Sequence, residues 1–283
     1  MSTHPTLNRL PPRVLTIAGS DSGGSAGLQA DLKTLEAHDI FGMSVVTLVT
    51  AQDTRRVHHA LPMPEPLIAQ QIDVVLADIG ADAVKTGLLA RASVVRLVAD
   101  RLAAHQVRQV VVDPVLVDGQ RCPFVDADTL TAYRETLFPQ ATIITPNIDE
   151  AALLLDMPIR TVADQHEAVK RLHTLGPRYV FLKGGHLPQD GEIRNLWFDG
   201  QQITYLCAPL LPLDNPHGVG CTLAAALAAN LAQGLAPQAA ARAAHDYLQA
   251  GLHSSLTRQI GKGRQPVHHA HAAFQNGNPK PKS

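Results

Sequence analysis

Residues 214–234 read DNPHGVGCTLAAALAANLAQG, with Gly218 and Gly220 immediately ahead of Cys221 and an almost wholly apolar, alanine-rich run behind it. The stretch predicts a buried helix with a glycine-lined entrance. A first helical turn leaves backbone N–H groups without internal partners and carries partial positive charge, so it attracts anions. Glycine lets the backbone approach a phosphate closely. At the mouth of such a helix the same field favours the Cys221 thiolate, which would set a reactive group facing an anion site. A simpler reading also fits: Gly218 and Gly220 shape a turn and Cys221 is a small buried residue.

The elements that would hold this site follow an alternating pattern. Residues 14–18 (VLTIA) read as a buried strand running into the loop GSDSGGSAG and an amphipathic helix. The loop is neither G-x-G-x-x-G nor a P-loop, which argues against a dinucleotide-binding oxidoreductase and a Walker-type NTPase. Strands are expected at 44–50, 83–86, 109–112, 141–144 and 178–182. Between them, helices are expected over 67–79, 93–105, 126–138, from about 149, and over 164–175. The polar cluster Ala51-Gln52-Asp53-Thr54 and the spaced Pro62, Pro64 and Pro66 read as a connection. Asp199-Gly200 between 194–198 and 202–206 predicts an antiparallel hairpin at the border of the sheet. A last helix is expected over 237–254, after which residues from 261 onward read as polar and irregular.

Strand–helix alternation without a composition break predicts a single α/β domain, with a largely parallel sheet, helices on both faces and an antiparallel edge hairpin. Its expected limits are 13–272, with an N-terminal extension at 1–12 and a disordered tail at 273–283. In a parallel sheet the C-terminal strand ends share one edge. This sequence sets Asp21, Gln52, Asp113, Asn147 with Glu150, and Lys183 at those ends. An anion hole, a lysine and carboxylates able to hold a metal through waters are the parts of a phosphoryl transfer.

The 283 residues carry a formal net charge of −1 and no basic block, which gives no support to a nucleic-acid or membrane-surface partner. No apolar run reaches membrane-spanning length and the first residues lack a signal-peptide core, so a cytoplasmic protein is expected. Cys122, Cys207 and Cys221 are widely spaced and odd in number, which predicts reduced thiols. His268, His269 and His271 cluster without a cysteine or acidic partner nearby and are not read as a metal site.

The motifs IAGSDSGGSAGLQADLKT, AQDT, VKTGLL, DPVLV, ITPNIDEAALL, LKGGH, HGVGCT and GKGRQPVHHAH, in that order, resemble the hydroxymethylpyrimidine/phosphomethylpyrimidine kinases of thiamine biosynthesis, within the ribokinase-like superfamily. The resemblance implies ATP and Mg2+ as cofactors. It also implies phosphorylation of 4-amino-5-hydroxymethyl-2-methylpyrimidine, then of its monophosphate, by a homodimer. Residue by residue, it implies substrate contacts at Gly19, Ala26, Asp31, Gln52, Leu88 and Val115, with Gln52 reading the aminopyrimidine edge. Asp113 and Glu150 fall at the metal positions, and Asn147, Lys183, Gly184 and Gly220 at the ATP positions. Gly218, Val219, Gly220, Cys221 and Lys183 form the catalytic set, with Cys221 assisting deprotonation or holding developing charge.

Four departures stand out: Val219 replaces the family threonine, Asp53 an asparagine, Thr86 and Leu88 an isoleucine and a methionine, and LVDGQRC lacks the usual Ala-Lys-Ser-Gly. A pyridoxal-type kinase on the same fold and a non-catalytic pyrimidine-binding protein are the competing readings.

Overall fold

Runs of β-branched residues too short for helices build the centre of the molecule. The computed structural model describes residues 10–118, 121–185, 187 and 190–272. Strands β1 (Arg13–Asp21), β2 (Phe41–Gln52), β3 (Val57–Pro62), β4 (Ala83–Thr86), β5 (Val110–Val112), β6 (Ile143–Ile144), β7 (Tyr179–Leu182), β8 (Glu192–Phe198) and β9 (Ile203–Pro209) form one sheet. Their order is β3-β2-β1-β4-β5-β6-β7-β8-β9. From β2 to β7 the pairs are parallel, while β3 and the β8–β9 hairpin are antiparallel. β1 pairs with both β2 and β4. The chain therefore winds outward from β1 in both directions, and the reversal between β1 and β4 is where open α/β sheets bind ligands.

Helices cover both faces, because strands buried on both sides need apolar cover above and below. Helices α2 (Glu65–Asp78), α3 (Ala92–Ala104), α4 (Ala127–Ala132), α5 (Ile148–Leu155) and α6 (Val162–His173) enclose one core with Ile17, Val84, Val112 and Ile144. On the opposite face, α1 (Gly27–Ala37), α7 (Val219–Ala232) and α8 (Pro237–Ser255) enclose a second core with Val14, Ala83, Val111 and Ile143. Alternate strand residues serve the two cores, as the pleat requires. Every residue from Thr222 to Leu231 is buried. Alanine at half of these positions lets α7 lie close to the sheet, so the buried glycine-entered helix expected from the sequence is present.

Two expectations change. The connection expected from the Ala51–Thr54 cluster through Pro62, Pro64 and Pro66 contains β3, paired to β2 but exposed along its whole length. Its order comes from backbone hydrogen bonds and not from burial, so the alternation that announces most strands is missing. The helix expected over 126–138 ends as α4 at Ala132 and continues as a π turn over Tyr133–Leu137 and a 3-10 turn over Phe138–Gln140. Pro139 supplies no backbone N–H and cannot extend it. The segment after residue 261 is largely irregular, as expected, and packs on the domain: Val267, His269 and His271 are buried and His217 bridges to Pro266. Residues 1–9 of the expected extension and the expected tail at 273–283 lie outside the described residues.

The fit of α7 predicts that Ala226→Leu overfills its contact with the sheet. The variant should lose about 1–3 kcal/mol of unfolding free energy, read as a lower urea midpoint with an unchanged slope.

Candidate active site

The β1–α1 loop looks like a phosphate cradle but is filled from within. Asp21 accepts hydrogen bonds from the backbone N–H groups of Gly23 (2.8 Å), Ser25 (2.9 Å) and Ala26 (2.8 Å). The loop's own carboxylate therefore occupies the place a dinucleotide phosphate would take. Two glycines lock this loop to its neighbours. Gly27 has φ +54° and a Cβ there would lie 2.3 Å from the Gly19 carbonyl oxygen; Gly218 has φ +80° and a Cβ would lie 1.9 Å from that of Ser25. Only glycine fits either position, and backbone packs on backbone where α1 and α7 begin.

The α7 entrance meets the far strand ends through Gly220. A Cβ on Gly220 would stand 3.0 Å from Lys183 Nζ and 3.2 Å from Asp113 Oδ2. Lys183, just past β7, lies 2.8 Å from Asp113 Oδ1 and 3.9 Å from Glu150 Oε2. Asp113 also accepts from Thr145 Oγ1 at 3.0 Å. Burial opposes the Lys183 charge, but Asp113 and Glu150 outweigh it and the ammonium is held above its ordinary value. Glu150 is pushed up to about 7, chiefly by burial, with Lys183 pulling the other way.

Asn147 and Glu150 also build the start of α5. Asn147 caps the helix, with Glu150 N donating to its Oδ1 at 2.9 Å, and Glu150 Oε2 accepts from Asn147 N at 2.8 Å. Leu116 N reaches the other Glu150 oxygen at 3.4 Å. This capping box stabilises the helix end and aims the carboxylate at Lys183. Asp113, just past β5, and Glu150, in the first turn of α5, are hard oxygen donors. Such a pair suits Mg2+, which takes one or two carboxylates and keeps several waters. No group of three or more histidine, cysteine or acidic side chains is arranged to hold a metal among the described residues, His268, His269 and His271 included.

Two expected roles change. Cys221 sits on the first turn of α7, but burial pushes its thiol up to about 11 despite the nearby Lys85 charge. Desolvation outweighs the helix field, so the expected thiolate is a thiol at neutral pH. Asp31, expected at the substrate, is fully buried below the site, where it accepts from Lys85 Nζ (2.7 Å) and Thr16 Oγ1 (2.6 Å).

The remaining expected residues divide. The Gly184 amide donates to Asn195 Oδ1 at 2.9 Å, and a Cβ on Gly184 would lie 2.0 Å from the Arg194 carbonyl oxygen. This glycine therefore serves the β7–β8 contact, and its N–H is not turned to a phosphate. A Cβ on Gly19 would touch Leu48 at 3.0 Å and Leu88 at 3.6 Å, so Gly19 and Leu88 share one wall. Ala26 caps α1, and Val115 follows the turn after Asp113. Gln52, at the end of β2, lies 3.3 Å from the ring of His217. Beside it is a cleft of about 390 Å³ lined by Gly23, Gln52, Thr54, Gly261 and Lys262. Asp53 accepts from Arg55 N, Arg56 N and His58, which holds the β2–β3 turn and accounts for a carboxylate there. His186, in the expected LKGGH segment, lies outside the described residues.

Lys85 and His217 stand in quoted motifs but were not expected in the site. A lysine within the fully buried strand AVKT was the available signal for Lys85, since a buried charge needs a partner. Nothing local marked His217, whose neighbour Gln52 is 165 residues away in sequence.

A nine-stranded sheet with its charged groups and glycine-entered helix at one edge defines a ribokinase-like fold. The solved Bacillus subtilis pyridoxal kinase, an ADP complex, matches with a TM-score of 0.86 and 34% identity, covering 94% of this chain and all (100%) of that one. The Bacillus subtilis hydroxymethylpyrimidine/phosphomethylpyrimidine kinase is 39% identical over 257 residues, 91% of this chain and 94% of that protein. The chloroplastic thiamine biosynthetic bifunctional enzyme TH1 of Arabidopsis thaliana is 42% identical over 266 residues, 94% of this chain. This chain spans 51% of that relative's length. Residues 21–268 match the phosphomethylpyrimidine kinase family, and the chain belongs to it.

Two outcomes test the buried charges. Lys85→Met strands Asp31 and should cost about 3–5 kcal/mol of stability, most of it recovered in Lys85→Met/Asp31→Leu; equal midpoints in denaturant for the wild type and the single variant would count against the pair. Glu150 holds a proton in the folded state that the unfolded state releases near pH 4.5, so its contribution to stability is complete below that pH and is lost as pH rises to about 7. Glu150→Gln, which keeps the cap, should flatten the stability profile across that window.

Proposed function

We propose that this chain phosphorylates the hydroxymethyl group of 4-amino-5-hydroxymethyl-2-methylpyrimidine from ATP, and then phosphorylates the resulting monophosphate. The observation that carries the reading is the reach of residues 217–220. His217 meets Gln52 at one end and Gly220 meets Lys183 and Asp113 at the other, so one short segment joins a ring-reading amide to a phosphate-neutralising cation.

On this reading Gln52 orients the ring, with Gly19, Leu88 and Val115 lining it, and Lys183 offsets phosphate charge. The backbone N–H groups at Gly218, Val219 and Gly220 point to where charge develops on the transferring group. If only backbone donors matter there, Val219 serves as well as the family threonine. A thiol at Cys221 suits the holding of developing charge better than proton abstraction, and a loose transition state makes little demand for a strong base. Asp113 and Glu150 would hold Mg2+, which when bound neutralises phosphate oxygens. Asn147 acts by fixing Glu150.

A homodimer in the cytoplasm completes the proposal. The exposed β3 and the β8–β9 hairpin offer edges that a second copy could cover. Among the described residues no helix is long and apolar enough to cross a membrane. The likeness to a pyridoxal kinase supports a second reading in which pyridoxal is the alcohol.

ADP release with Mg-ATP, offered the pyrimidine alcohol, its monophosphate and pyridoxal in parallel, decides between them. Turnover of both pyrimidines is expected. Turnover of pyridoxal alone moves the substrate and keeps the site, and binding without ADP formation contradicts catalysis.

A further inference from the structure

Gln52 is held from three sides. Its backbone N–H donates to Ser22 Oγ (2.8 Å), and Ser22 Oγ donates back to its carbonyl (3.0 Å), which fixes the main chain. Its amide lies between Thr50 and His217, with Nε2 3.3 Å from His217 Nε2 and Oε1 3.4 Å from Thr50 Oγ1. An amide is nearly symmetrical in shape, so the same position accepts it turned by half a revolution, and the surrounding hydrogens decide which way it points.

Thr50 has one hydroxyl hydrogen, and it is committed to the Ser20 carbonyl oxygen at 2.8 Å. Toward Gln52 it can only accept. With the amide oxygen beside Thr50, two acceptors face each other without a hydrogen. His217 would then have to accept through Nε2 and carry its proton on Nδ1, which is buried without a partner. An orphaned buried N–H is rarer and costlier than an orphaned acceptor. With the amide turned, its N–H donates to Thr50, its oxygen accepts from His217 Nε2–H, and the atom left bare is the Nδ1 lone pair. The turned arrangement gives the Thr50 hydroxyl, the His217 Nε2–H and one amide N–H a partner each, and leaves the second amide N–H for a ligand. Burial, followed by the Arg264 charge, keeps the imidazole neutral against the opposing pull of Asp21. The His217 backbone is pinned in turn by its N–H to Gln265 O at 2.8 Å.

We infer that His217, with Thr50, is a specificity-determining positioning residue that locks the Gln52 amide in one orientation. The free N–H and free oxygen lone pair of the amide then face the ligand in a fixed order, donor on the Thr50 side and acceptor on the His217 side. The edge that fits is a ring nitrogen beside an exocyclic amine. An edge of opposite order, a ring N–H beside a carbonyl, meets donor with donor and acceptor with acceptor. The inference rests on the reading of Gln52 as the ring-reading residue.

The test is calorimetric binding of the 4-amino pyrimidine alcohol and of its 4-oxo analogue, which presents the reversed edge. The readout is the ratio of the two dissociation constants. His217→Phe keeps a flat ring but lacks the N–H, so the ratio should fall roughly tenfold, the worth of one hydrogen bond. His217→Gln, which can return an N–H near the same place, should recover most of it. Thr50→Val removes the other clamp and should act in the same direction, which keeps the inference testable should His217→Phe not fold. A ratio unchanged in His217→Phe and Thr50→Val but collapsed in Gln52→Leu would overturn the lock and leave Gln52 as the reader. A ratio unchanged in Gln52→Leu as well would overturn both. Equal weakening of both ligands in His217→Phe and His217→Gln would reduce His217 to a structural part and overturn the inference.

Discussion

Lys183 is the charge on which the site depends. It stands at the end of a buried parallel strand, held by Asp113 and approached by Glu150, with the first turn of α7 close above it. An ammonium taken out of water is costly unless it is paired, and two carboxylates brought together repel unless a cation lies between them. Each group makes the others tolerable. The glycine at 220 follows from this packing, since any side chain there would press on the ion pair. A region with a cation ready for phosphate, carboxylates suited to magnesium and the first helical turn of α7 is therefore assembled before any ligand arrives.

A second constraint carries this arrangement across the sheet. Gly218 meets Ser25, and Gly27 meets Gly19, at distances that admit no side chain. The start of α7 is thereby fixed to the β1–α1 loop, whose own amides are taken up by Asp21. Beneath both lies the Lys85–Asp31 pair, wholly buried, where burial opposes the lysine's charge but Asp31 and Asp113 hold it above its usual value. A rigid, charged floor and a glycine-locked rim leave the ligand little freedom, which is what positioning catalysis requires.

Much of this was legible in the sequence, for identifiable reasons. The parallel core, α7 and the β8–β9 hairpin carry strong local signals: short β-branched runs, an unbroken apolar helix and Asp-Gly at the turn. Asp113, Glu150, Lys183 and Gly220 were legible because strand ends of a parallel sheet must converge, and the structure brings them together. Cys221 was placed correctly and assigned the wrong charge state, because a helix field can be read from sequence whereas the extent of desolvation cannot. The surroundings of Gly184 and Asp31 were not legible for a related reason: their partners, Asn195 with Arg194 and Lys85, are set by packing between elements. The strand β3 left no apolar signature because its order is entirely in its hydrogen bonds, and His217 acts through a residue distant in sequence.

Single-turnover transfer by Lys183→Met, with saturating Mg-ATP and the pyrimidine alcohol and with folding verified by thermal melting, tests the central claim. If Lys183 offsets the charge of the transferring phosphate, the rate falls by roughly a hundredfold or more while the affinity for the alcohol stays close to that of the wild type. A folded Lys183→Met protein that transfers phosphate at the wild-type rate would contradict the account.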